Sequence, residues 1–559
     1  MSFSSLHITL AQINPIVGNI DYNLHKIRKI RDDSPATTNL IIFPELALCG
    51  YPPEDLVLKP FFLEKIESAV NALANESKTK YIALSCPWRH DGKIMSALHI
   101  IGDGKIQSTI YKHNLPNYGV FDEARIFKSG PLADPVTVHG HKLGFLVCED
   151  TWTADVSKNL KNGGAEILIS VNASPYEITK HDQRLDIARA RVKETGLPLI
   201  YVNQCGGQDE IVFDGASFVL NEHGDVILQA EEFVEDTHHT VWNRTGNGSG
   251  VGHWLCGTDT IYEIHEKTEA LYQAVMIALR DYVTKNGFSG VLIGMSGGVD
   301  SALSAAIAVD ALGADAVHGV MMPSVYTSAE SHKDAKETCH ALGIHYDVIS
   351  IADQVSAFEK ELAPHFTDDT PDITHQNIQS RCRGVTLMAL SNATGKMVLS
   401  TGNKSEIAVG YATLYGDMCG GFNALKDIYK TQVYELSRWR NLHRPDHGFG
   451  PQGQVIPENV LTKAPTAELK PGQKDQDSLP PYDVLDDILT GLIEHDWDVK
   501  TIARNGNHHP QLVQKIWRML DIAEYKRRQA APGPKITHRA FGRERRYPIT
   551  NHFSRIIED

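Results

Sequence analysis

VLIGMSGGVDSAL, residues 291–303, joins an apolar run to a short segment rich in glycine, serine and aspartate. The apolar run predicts a buried strand, and the residues from 301 onward predict a helix. Glycines at such a turn let backbone N–H groups approach phosphate oxygens, and the positive end of the following helix points at the same place. Ser296 and Ser301 add hydroxyl donors. A plain turn is the alternative, but the combination favours a nucleotide site.

The carboxylate of Asp300 conflicts with a site that binds anions alone, because it repels phosphate. A Mg²⁺ ion between the carboxylate and the phosphates resolves this conflict. The loop is neither a Walker A motif nor a GxGxxG fingerprint. We therefore expect an ATP site with Mg²⁺ as its cofactor. The loop residues expected to bind ATP are Gly294, Met295, Ser296, Gly297, Gly298, Val299, Asp300 and Ser301.

Strand and helix patterns alternate after this loop, which predicts a parallel sheet wound with helices. A proline-rich polar segment at 465–480 is long enough to be a functional or mobile loop. The expected strands lie at 316–324, 345–351 and 396–403, and the expected helices near 328–342 and 376–391.

The first half of the chain has a different rhythm, with short β-rich runs, hairpins and a helix near 183–195, which predicts an α/β layer domain with a mixed sheet. Residues 229–260 are acidic and then glycine-rich, so we expect a linker or an exposed loop. The predicted domains are 1–255 and 262–559. The expected strands lie at 6–13, 40–45, 81–88, 142–150, 166–174 and 198–206, and the hairpins at 97–109 and 217–229.

Composition narrows the class of protein. A chain of 559 residues predicts two or more domains, and its net charge of −15 argues against non-specific nucleic-acid binding. Apolar runs stay below the length of about 18 residues that a membrane span needs, and the first residues do not resemble a secretory signal. The eight cysteines are scattered, which favours a reducing cytoplasm. We expect a cytoplasmic homo-oligomer that binds no nucleic acid and no membrane.

Three residues of the first half form a second candidate site. Glu45 and Cys148 each end an apolar strand, so they can meet at one edge of a sheet, and Lys112 follows another β-rich run. A thiol with an ordinary pKa of about 8.5 is mostly protonated at neutral pH. Glu45 can take its proton, and Lys112 can stabilise the thiolate and a tetrahedral oxyanion. A buried structural cysteine and a His-dependent cysteine nucleophile are the alternatives.

The segment SGGVDS resembles the signature loop of the ATP-pyrophosphatase (PP-loop) family, which holds the pyrophosphate of ATP. The resemblance implies that ATP is cleaved between its α- and β-phosphates. A carboxylate or carbonyl is then adenylated, and an amine displaces AMP.

Four later stretches are similar to the NAD synthetase family: 375–384, 399–417, 426–436 and 462–486. The resemblance implies that Thr401, Lys430 and Thr466 contact ATP. It places Asn377 and Glu406 at deamido-NAD⁺, with Glu406 and Asp300 at the metal. We expect Lys526, in the basic segment 525–549, to lie over the dinucleotide phosphates; a solvated charged tail is the alternative.

The segments LPNYGVFDEARIF and CEDTW resemble the nitrilase (carbon-nitrogen hydrolase) superfamily, in the forms found in glutamine-dependent NAD synthetases. The resemblance implies an α-β-β-α sandwich and a Glu45-Lys112-Cys148 triad. Glu123 matches an additional glutamate beside the triad. It also implies that Tyr118, Ser174 and Lys180 bind glutamine.

Together the two resemblances predict an enzyme that amidates deamido-NAD⁺ to NAD⁺. It would use ATP and ammonia, either free or released from L-glutamine at Cys148. Because only unprotonated ammonia attacks, we expect a closed passage between the domains. Three alternatives remain: a glutamine-fed adenylating ligase for another acid, a metabolite sensor with inactive sites, and RNA binding through residues 525–549.

Overall fold

The computed structural model describes residues 5–245, 253–257 and 260–556. Contacts within the chain divide it into two compact units, Met1–His265 and Glu266–Asp559, called here the N-terminal and C-terminal units. None of the described helices combines the length and the apolar character needed to cross a bilayer.

The N-terminal unit is built on two large sheets. Among the described residues, one sheet has the order β15-β14-β1-β2-β3-β4-β5 and the other the order β13-β12-β9-β8-β7-β6; β10 and β11 form a separate hairpin. The strands are β1 (Leu6–Gln12), β2 (Leu40–Ile42), β3 (Tyr81–His90), β4 (Lys93–Gly102), β5 (Lys105–Tyr111), β6 (Val136–Val138), β7 (His141–Val147), β8 (Ile167–Asn172), β9 (Leu199–Asn203), β10 (Cys205–Gln208), β11 (Ile211–Asp214), β12 (Phe218–Leu220), β13 (Val226–Gln229), β14 (Asp236–Thr245) and β15 (His253–Gly257).

The two sheets share one apolar core. Ile8 and Leu98 of the first sheet belong to the same buried cluster as Phe145 and Ile169 of the second. Helices α1 and α2 cover the outer face of the first sheet, and α4 and α5 pack against the second. This is the predicted α-β-β-α sandwich. The helices are α1 (Ile20–Asp33), α2 (Pro60–Glu76), α3 (Glu123–Ile126), α4 (Ala154–Asn162) and α5 (Lys180–Thr195).

The prediction of a linker or exposed loop over 229–260 is wrong for the described part of that segment. Residues 236–245 form β14, which pairs antiparallel with the whole of β1 through residues 236–242 and with β15 through residues 241–245. Trp242 is fully buried between the sheets. Polar residues dominate β14 because one of its faces is half-exposed, and this hid the strand. Residues 246–252 and 258–259 lie outside the described residues.

The C-terminal unit carries a parallel sheet with the order β18-β17-β16-β19-β20 among its described residues. The chain moves outward from β16 to β18, then returns to the other side of β16 for β19. In such a sheet, ligands bind where this reversal leaves a crevice at the carboxyl ends of the strands. The crevice here lies between β16 and β19. The strands are β16 (Val291–Gly294), β17 (Val317–Met321), β18 (His345–Val348), β19 (Met397–Ser400) and β20 (Phe422–Asn423).

Helices pack against the sheet and extend into a separate helical layer. Helix α10 packs on β16 and β19, while α6, α7 and α12 pack together. A second core joins α11, α14 and α16. The helices are α6 (Lys267–Lys285), α7 (Val299–Leu312), α8 (Ala329–Leu342), α9 (Ala352–Leu362), α10 (Ile373–Thr394), α11 (Lys404–Val409), α12 (Lys430–Leu442), α13 (Glu458–Thr462), α14 (Tyr482–Ile493), α15 (Val499–Asn505), α16 (Pro510–Ile522), α17 (Glu524–Arg527) and α18 (Phe553–Ile556).

Candidate active sites

Glu45, Lys112 and Glu123 meet in a buried ionic cluster of the N-terminal unit. The Lys112 ammonium donates to Glu45 Oε1 at 2.7 Å and to Glu123 Oε1 at 2.9 Å. The Tyr51 hydroxyl also donates to Glu123 Oε1, at 2.9 Å. Glu45 Oε2 is buried and has no hydrogen-bond partner among the described residues. One carboxylate oxygen is therefore left to receive a proton.

Cys148 stands at a sharp turn beside this cluster. It follows β7 directly and begins a short 3₁₀ helix, Cys148–Thr151. Its backbone has φ +47°, in the left-handed region that non-glycine residues seldom adopt. Such strain concentrates at functional sites, where surrounding structure holds it in place. This turn ends β7 of the second sheet, whereas Glu45 follows β2 of the first sheet. The expectation that Glu45 and Cys148 meet at one edge of a single sheet is therefore wrong, because the two residues come to one site from two different sheets.

The electrostatics of the cluster keep the thiol neutral. Burial and the Glu45 carboxylate raise the pKa of Cys148 well above its usual range, while Lys112 acts in the opposite direction. Burial disfavours the Lys112 ammonium, but Glu123 and Glu45 outweigh burial and raise the pKa of Lys112. Burial also raises the pKa of Glu123 to about 7, and Lys112 opposes that rise. An attacking thiolate must therefore form by transfer of the thiol proton to a neighbour.

Asp150 holds the elements of this site together, and the sequence analysis did not single it out. Its carboxylate accepts from the backbone N–H groups of Asn114 at 2.8 Å, His113 at 3.1 Å and Val147 at 3.2 Å. These bonds tie the chain after Lys112 to the turn at the end of β7. Burial raises the pKa of Asp150 to about 6, and the backbone donors oppose this.

The three residues expected to bind glutamine have different surroundings. Tyr118 is exposed, and its hydroxyl donates to Glu149 at 3.0 Å. The ammonium of Lys180 lies 4.2 Å from the centre of the Trp152 ring. Ser174 is buried, and its hydroxyl accepts from Arg184 Nε at 3.0 Å.

Arg184 is a further buried charge near the nucleophile that sequence reasoning missed. Its guanidinium pairs with Asp214 at 2.7 Å and donates to the backbone carbonyls of Ser174 and Pro175. This pair fixes the segment that carries Ser174. An arginine inside the polar helix α5 has no signal in the sequence that separates it from its exposed neighbours.

The glycine loop of the C-terminal unit has the geometry of an anion site. Gly297 has φ +78°, and a Cβ there would overlap the backbone of Ser331, so only glycine fits. The Ser296 hydroxyl accepts from Gly298 N at 3.1 Å and lies 3.1 Å from the Ser301 hydroxyl. Helix α7 begins at Val299, so its N-terminal backbone donors face the loop.

Asp300 and Glu406 approach each other through one ammonium. Lys430 Nζ donates to Asp300 Oδ2 and, at 3.1 Å, to Glu406 Oε1. Asn403 donates to Asp300 at 2.8 Å and caps α11 by accepting from Glu406 N at 3.0 Å. Asn403 thus joins the loop that follows β19 to the first turn of α7. Burial raises the pKa of Glu406 to about 7, although Lys430 opposes the rise.

These residues fit Mg²⁺. The ion is usually held by one or two carboxylates together with substrate phosphates. Asp300 and Glu406 already share one cation, the Lys430 ammonium, and they lie beside the glycine loop. The donor set is oxygen only, as a hard cation requires.

A cavity of about 290 Å³ opens at the carboxyl ends of β16 and β19. Its lining includes Thr401, Glu406, Lys430 and Thr466. From the glycine loop it includes Gly294, Met295, Ser296, Gly298, Val299, Asp300 and Ser301. The residues expected to bind ATP are thus gathered around one cavity, apart from Gly297, whose backbone shapes the loop.

Two residues expected to bind deamido-NAD⁺, Asn377 and Lys526, are not part of the cavity lining. Asn377 accepts from the Thr413 hydroxyl at 2.8 Å. Lys526 donates to the carbonyls of Gly410 at 2.8 Å and Ala412 at 2.6 Å. Both side chains hold the segment that follows α11, and part of this segment lines the cavity.

The polar segment 465–480 is a loop, as predicted, and it is fastened at two points. Glu468 accepts from the Ser328 hydroxyl at 2.7 Å and from the Ser331 hydroxyl at 2.9 Å. Asp475 accepts from Tyr482 at 2.9 Å and Tyr411 at 3.2 Å. Sequence reasoning missed both acidic residues because a polar loop offers no periodicity to distinguish them. Their contacts place the loop along the cavity.

The basic segment 525–549 is largely folded onto the unit, so the alternative of a solvated tail is wrong. Arg527 donates to Ala408 O at 2.6 Å and to Glu524 at 2.8 Å, and both side chains are buried. Arg545 is buried against Glu524 and the Tyr547 ring. These internal contacts leave fewer basic groups for the RNA-binding alternative.

Comparisons with known proteins cover both units. A family model described as carbon-nitrogen hydrolase matches residues 7–240, and one described as NAD synthase matches residues 271–530. Proteins named glutamine-dependent NAD(+) synthetase, from Rhodobacter capsulatus and Acinetobacter baylyi, are 46% and 44% identical over 549 and 551 residues. Each alignment covers 98% of this chain and 98% of the relative.

Two solved structures resemble this chain over 98% of its length. The glutamine-dependent NAD+ synthetase from Acinetobacter baumannii, in complex with adenosine diphosphate, is 42% identical with a TM-score of 0.76. It covers 98% of this chain and 99% of its own. The corresponding protein of Cytophaga hutchinsonii is 20% identical with a TM-score of 0.81, covering 98% of each chain, and this likeness shows the fold alone.

Proposed function

Because the chain belongs to the family of glutamine-dependent NAD(+) synthetases, and is thus a ligase that makes NAD⁺ with glutamine nitrogen, we propose a division of labour between its two units. The N-terminal unit hydrolyses glutamine at Cys148. The C-terminal unit activates deamido-NAD⁺ with ATP. The observation that carries the proposal is the pair of separate polar sites, one around Lys112 and one around Lys430. We assign the glutaminase domain to residues 1–255 and the synthetase domain to residues 262–559.

Glutamine hydrolysis begins with attack of Cys148 Sγ on the side-chain amide carbon of glutamine. The thiol proton passes to Glu45, whose Oε2 has no partner among the described residues. Lys112 stabilises the oxyanion that develops on the former carbonyl oxygen. When the tetrahedral adduct collapses, Glu45 returns the proton to the leaving nitrogen and ammonia departs. Water, deprotonated by Glu45, then hydrolyses the thioester to glutamate and restores the thiol.

The remaining residues of this site bind the substrate or position the catalytic groups. Glu123 accepts from Lys112 and so fixes the ammonium opposite Glu45. Tyr118, Ser174 and Lys180 are the proposed glutamine contacts. Tyr118 suits this role because its side chain is exposed and its hydroxyl donates to Glu149, the residue that follows Cys148. Ser174 contributes through the segment that Arg184 holds in place.

In the C-terminal unit, the backbone donors and hydroxyls of residues 294–301 bind the ATP phosphates, with Thr401, Lys430 and Thr466 around them. Asp300 and Glu406 hold Mg²⁺, which neutralises phosphate charge when bound. The nicotinate carboxylate of deamido-NAD⁺ attacks the α-phosphorus, and pyrophosphate leaves. Ammonia then attacks the acyl carbon of the adenylate, and AMP departs as NAD⁺ forms. Glu406 contacts deamido-NAD⁺ directly. Asn377 and Lys526 position residues 410–413, the segment that follows α11.

We infer a cytoplasmic location, which agrees with eight cysteines that are all free thiols within the described residues. We also infer a homo-oligomer whose substrates are glutamine or ammonia, ATP and deamido-NAD⁺. A different carboxylic acid in place of deamido-NAD⁺ is not favoured by the relatives.

The test separates the two nitrogen donors. Cys148→Ala should lose NAD⁺ formation from glutamine while ammonium chloride still supports it, because the thiol lies in the unit that lacks the ATP cavity. Cys256→Ala, at a half-buried cysteine of the same unit, is the control and should keep both activities. NAD⁺, glutamate and pyrophosphate are measured for each protein. Equal loss with both donors in Cys148→Ala would contradict the assignment.

A further inference from the structure

Two histidines and an aspartate meet on the outer strands of the parallel sheet, apart from both proposed active sites. His318 is directly opposite His345 in the β17–β18 ladder, and Asp347 is opposite Val320. Side chains two residues apart on a strand share a face. The three polar side chains therefore stand together on one face of the sheet.

Their ligand atoms converge. His318 Nε2 lies 2.9 Å from Asp347 Oδ2, and His345 Nε2 lies 3.2 Å from the same oxygen. One nitrogen or oxygen atom from each residue falls within 4.8 Å of the other two. The imidazole rings are 4.4 Å apart between their centres, at 60° to each other. Three donors thus surround one small volume.

These distances are close to those of a bound transition metal. Zn²⁺ binds imidazole nitrogen and carboxylate oxygen at about 2.0–2.2 Å, so two ligand atoms at a tetrahedral angle lie about 3.3 Å apart. The observed separations of 2.9 and 3.2 Å need only small side-chain shifts to reach that value. We propose that His318, His345 and Asp347 form a binding site for a divalent transition cation of the Zn²⁺ class, with water completing the coordination.

The surroundings suit neutral imidazole ligands. Burial lowers the pKa of His318, Asp347 opposes this, and His345 and Lys396 act with burial. A neutral imidazole is the form that binds metal. Lys396 is the nearby positive charge, and its ammonium donates to the Asp315 carbonyl at 3.3 Å. The exposed side of the triangle is formed by His345, whose side chain is 67% exposed, so an ion can enter without a rearrangement of the core.

This site is distinct from the proposed Mg²⁺ site in place and in chemistry. His318 is in register with Leu292, two residues before the end of β16, whereas the glycine loop follows that end. None of the three ligands lines the ATP cavity. Two nitrogens and one oxygen favour Zn²⁺ and its neighbours over Mg²⁺. A bound ion would cross-link β17 to β18, which is an edge strand of the sheet among the described residues.

The experiment titrates the full-length protein, freed of metal by chelation, with Zn²⁺ at pH 7.5 in a calorimeter. His345→Ala and Asp347→Asn are compared with wild type, and both sites are exposed enough for the variants to fold, which circular dichroism verifies. His223→Ala, at an exposed histidine of the N-terminal unit, is the matched control. Comparison with wild type cancels Zn²⁺ bound elsewhere, for example at Cys148.

We expect each ligand variant to bind one Zn²⁺ fewer than wild type, or to bind that ion at least about tenfold more weakly, whereas His223→Ala retains it. Co²⁺ in the same site should give visible ligand-field absorption that both variants lose. Zn²⁺ at a hundred times its Kd should raise the Tm of the wild-type C-terminal unit by roughly 5 °C more than that of the variants. Unchanged Zn²⁺ stoichiometry and affinity in His345→Ala and Asp347→Asn would overturn the proposal.

Discussion

Replacing Lys112 by methionine tests the glutaminase mechanism most directly. In the folded protein the Lys112 ammonium is the cation between two buried carboxylates, at 2.7 Å from Glu45 and 2.8 Å from the nearer oxygen of Glu123. Methionine fills a similar volume and removes the charge. The change therefore takes away both the proposed oxyanion donor and the partner of Glu45.

Two effects of different size follow. Loss of one oxyanion donor typically costs about a hundredfold to a thousandfold in turnover. Removing one member of a buried ion pair costs about 3–5 kcal/mol of unfolding free energy. Since the Lys112 cation acts to lower the pKa of Cys148, its removal also reduces the thiolate fraction. Alkylation of Cys148 by iodoacetamide at neutral pH should become slower.

The assay measures glutamate release, NAD⁺ formation from each nitrogen donor, and urea unfolding. Lys112→Met should lose glutaminase turnover and keep ammonia-driven synthesis, because the ATP cavity is lined by residues of the other unit. Lys105→Met, at an exposed lysine that begins β5, the strand that Lys112 directly follows, is the matched control and should behave as wild type. Lys112→Arg should not fully restore glutaminase turnover, since a planar guanidinium cannot take the position of a compact ammonium.

A double variant separates catalysis from stability. Lys112→Met/Glu45→Gln has no unpaired carboxylate at position 45, so it should recover part of the unfolding free energy that Lys112→Met loses. The coupling energy expected for residues in contact is about 0.5–3 kcal/mol. Glutaminase turnover should stay lost. Near-wild-type glutamate release from folded Lys112→Met would refute the proposed role, and so would an equal loss of ammonia-driven synthesis.

Three further changes probe other features. Gly297→Ala should abolish ATP-dependent pyrophosphate release and leave glutaminase turnover largely intact, because a Cβ there would overlap the backbone of Ser331. The control for backbone strain alone is Gly453→Ala, since φ is also positive at Gly453 but a Cβ there would meet open space. Asp300→Ala should remove synthesis with either donor; wild-type pyrophosphate release would mean that the carboxylate has no part in ATP activation. Burial lowers the pKa of His99 to about 4, so this histidine contributes stability that is full above pH 6.5 and is lost as the pH falls toward 4. His99→Gln should therefore weaken the pH dependence of the unfolding free energy between pH 7 and 4.5 by about 2–3 kcal/mol, and an unchanged dependence in urea unfolding would contradict the burial argument.

Much of the fold follows from local patterns. The segments at 291–294 and 317–321 are strands, as predicted, because strands that are buried on both faces of a parallel sheet are rich in apolar residues. The helices that follow them, α7 and α8, begin at Val299 and Ala329, near the expected residues. Helix α9, Ala352–Leu362, was missed because none of its residues is fully buried, although Val355 and Leu362 pack at the margin of a core. Strand β14 was missed because its pairing with β1 joins residues more than 200 positions apart in the chain.

The site residues also divide into those that the local sequence pattern marks and those that act only through tertiary contacts. Glu45, Cys148 and Asp300 stand at strand ends or turns, where the sequence pattern itself marks them. Asp150 and Asn403 act by accepting or donating hydrogen bonds between segments that meet only in the folded chain. No local pattern distinguishes such residues from other polar residues at turns. Their roles depend on tertiary contacts, which residue type and spacing do not specify.

The internal contacts of the basic segment have a consequence for synthesis on the ribosome. Helix α11, which carries Glu406, is held at one end by Lys404, whose ammonium donates to Thr537 at 2.7 Å, and at the other by Arg527, which donates to Ala408 O at 2.6 Å. The chain is made from its N-terminus, so these partners emerge more than a hundred residues after the helix they secure. The glutaminase unit can fold while translation continues, but the ATP cavity acquires its full framework only once the ribosome has passed residue 537. A premature stop codon shortly before that point would therefore leave a C-terminal unit in which the Lys404 end of helix α11 has lost its contact with Thr537.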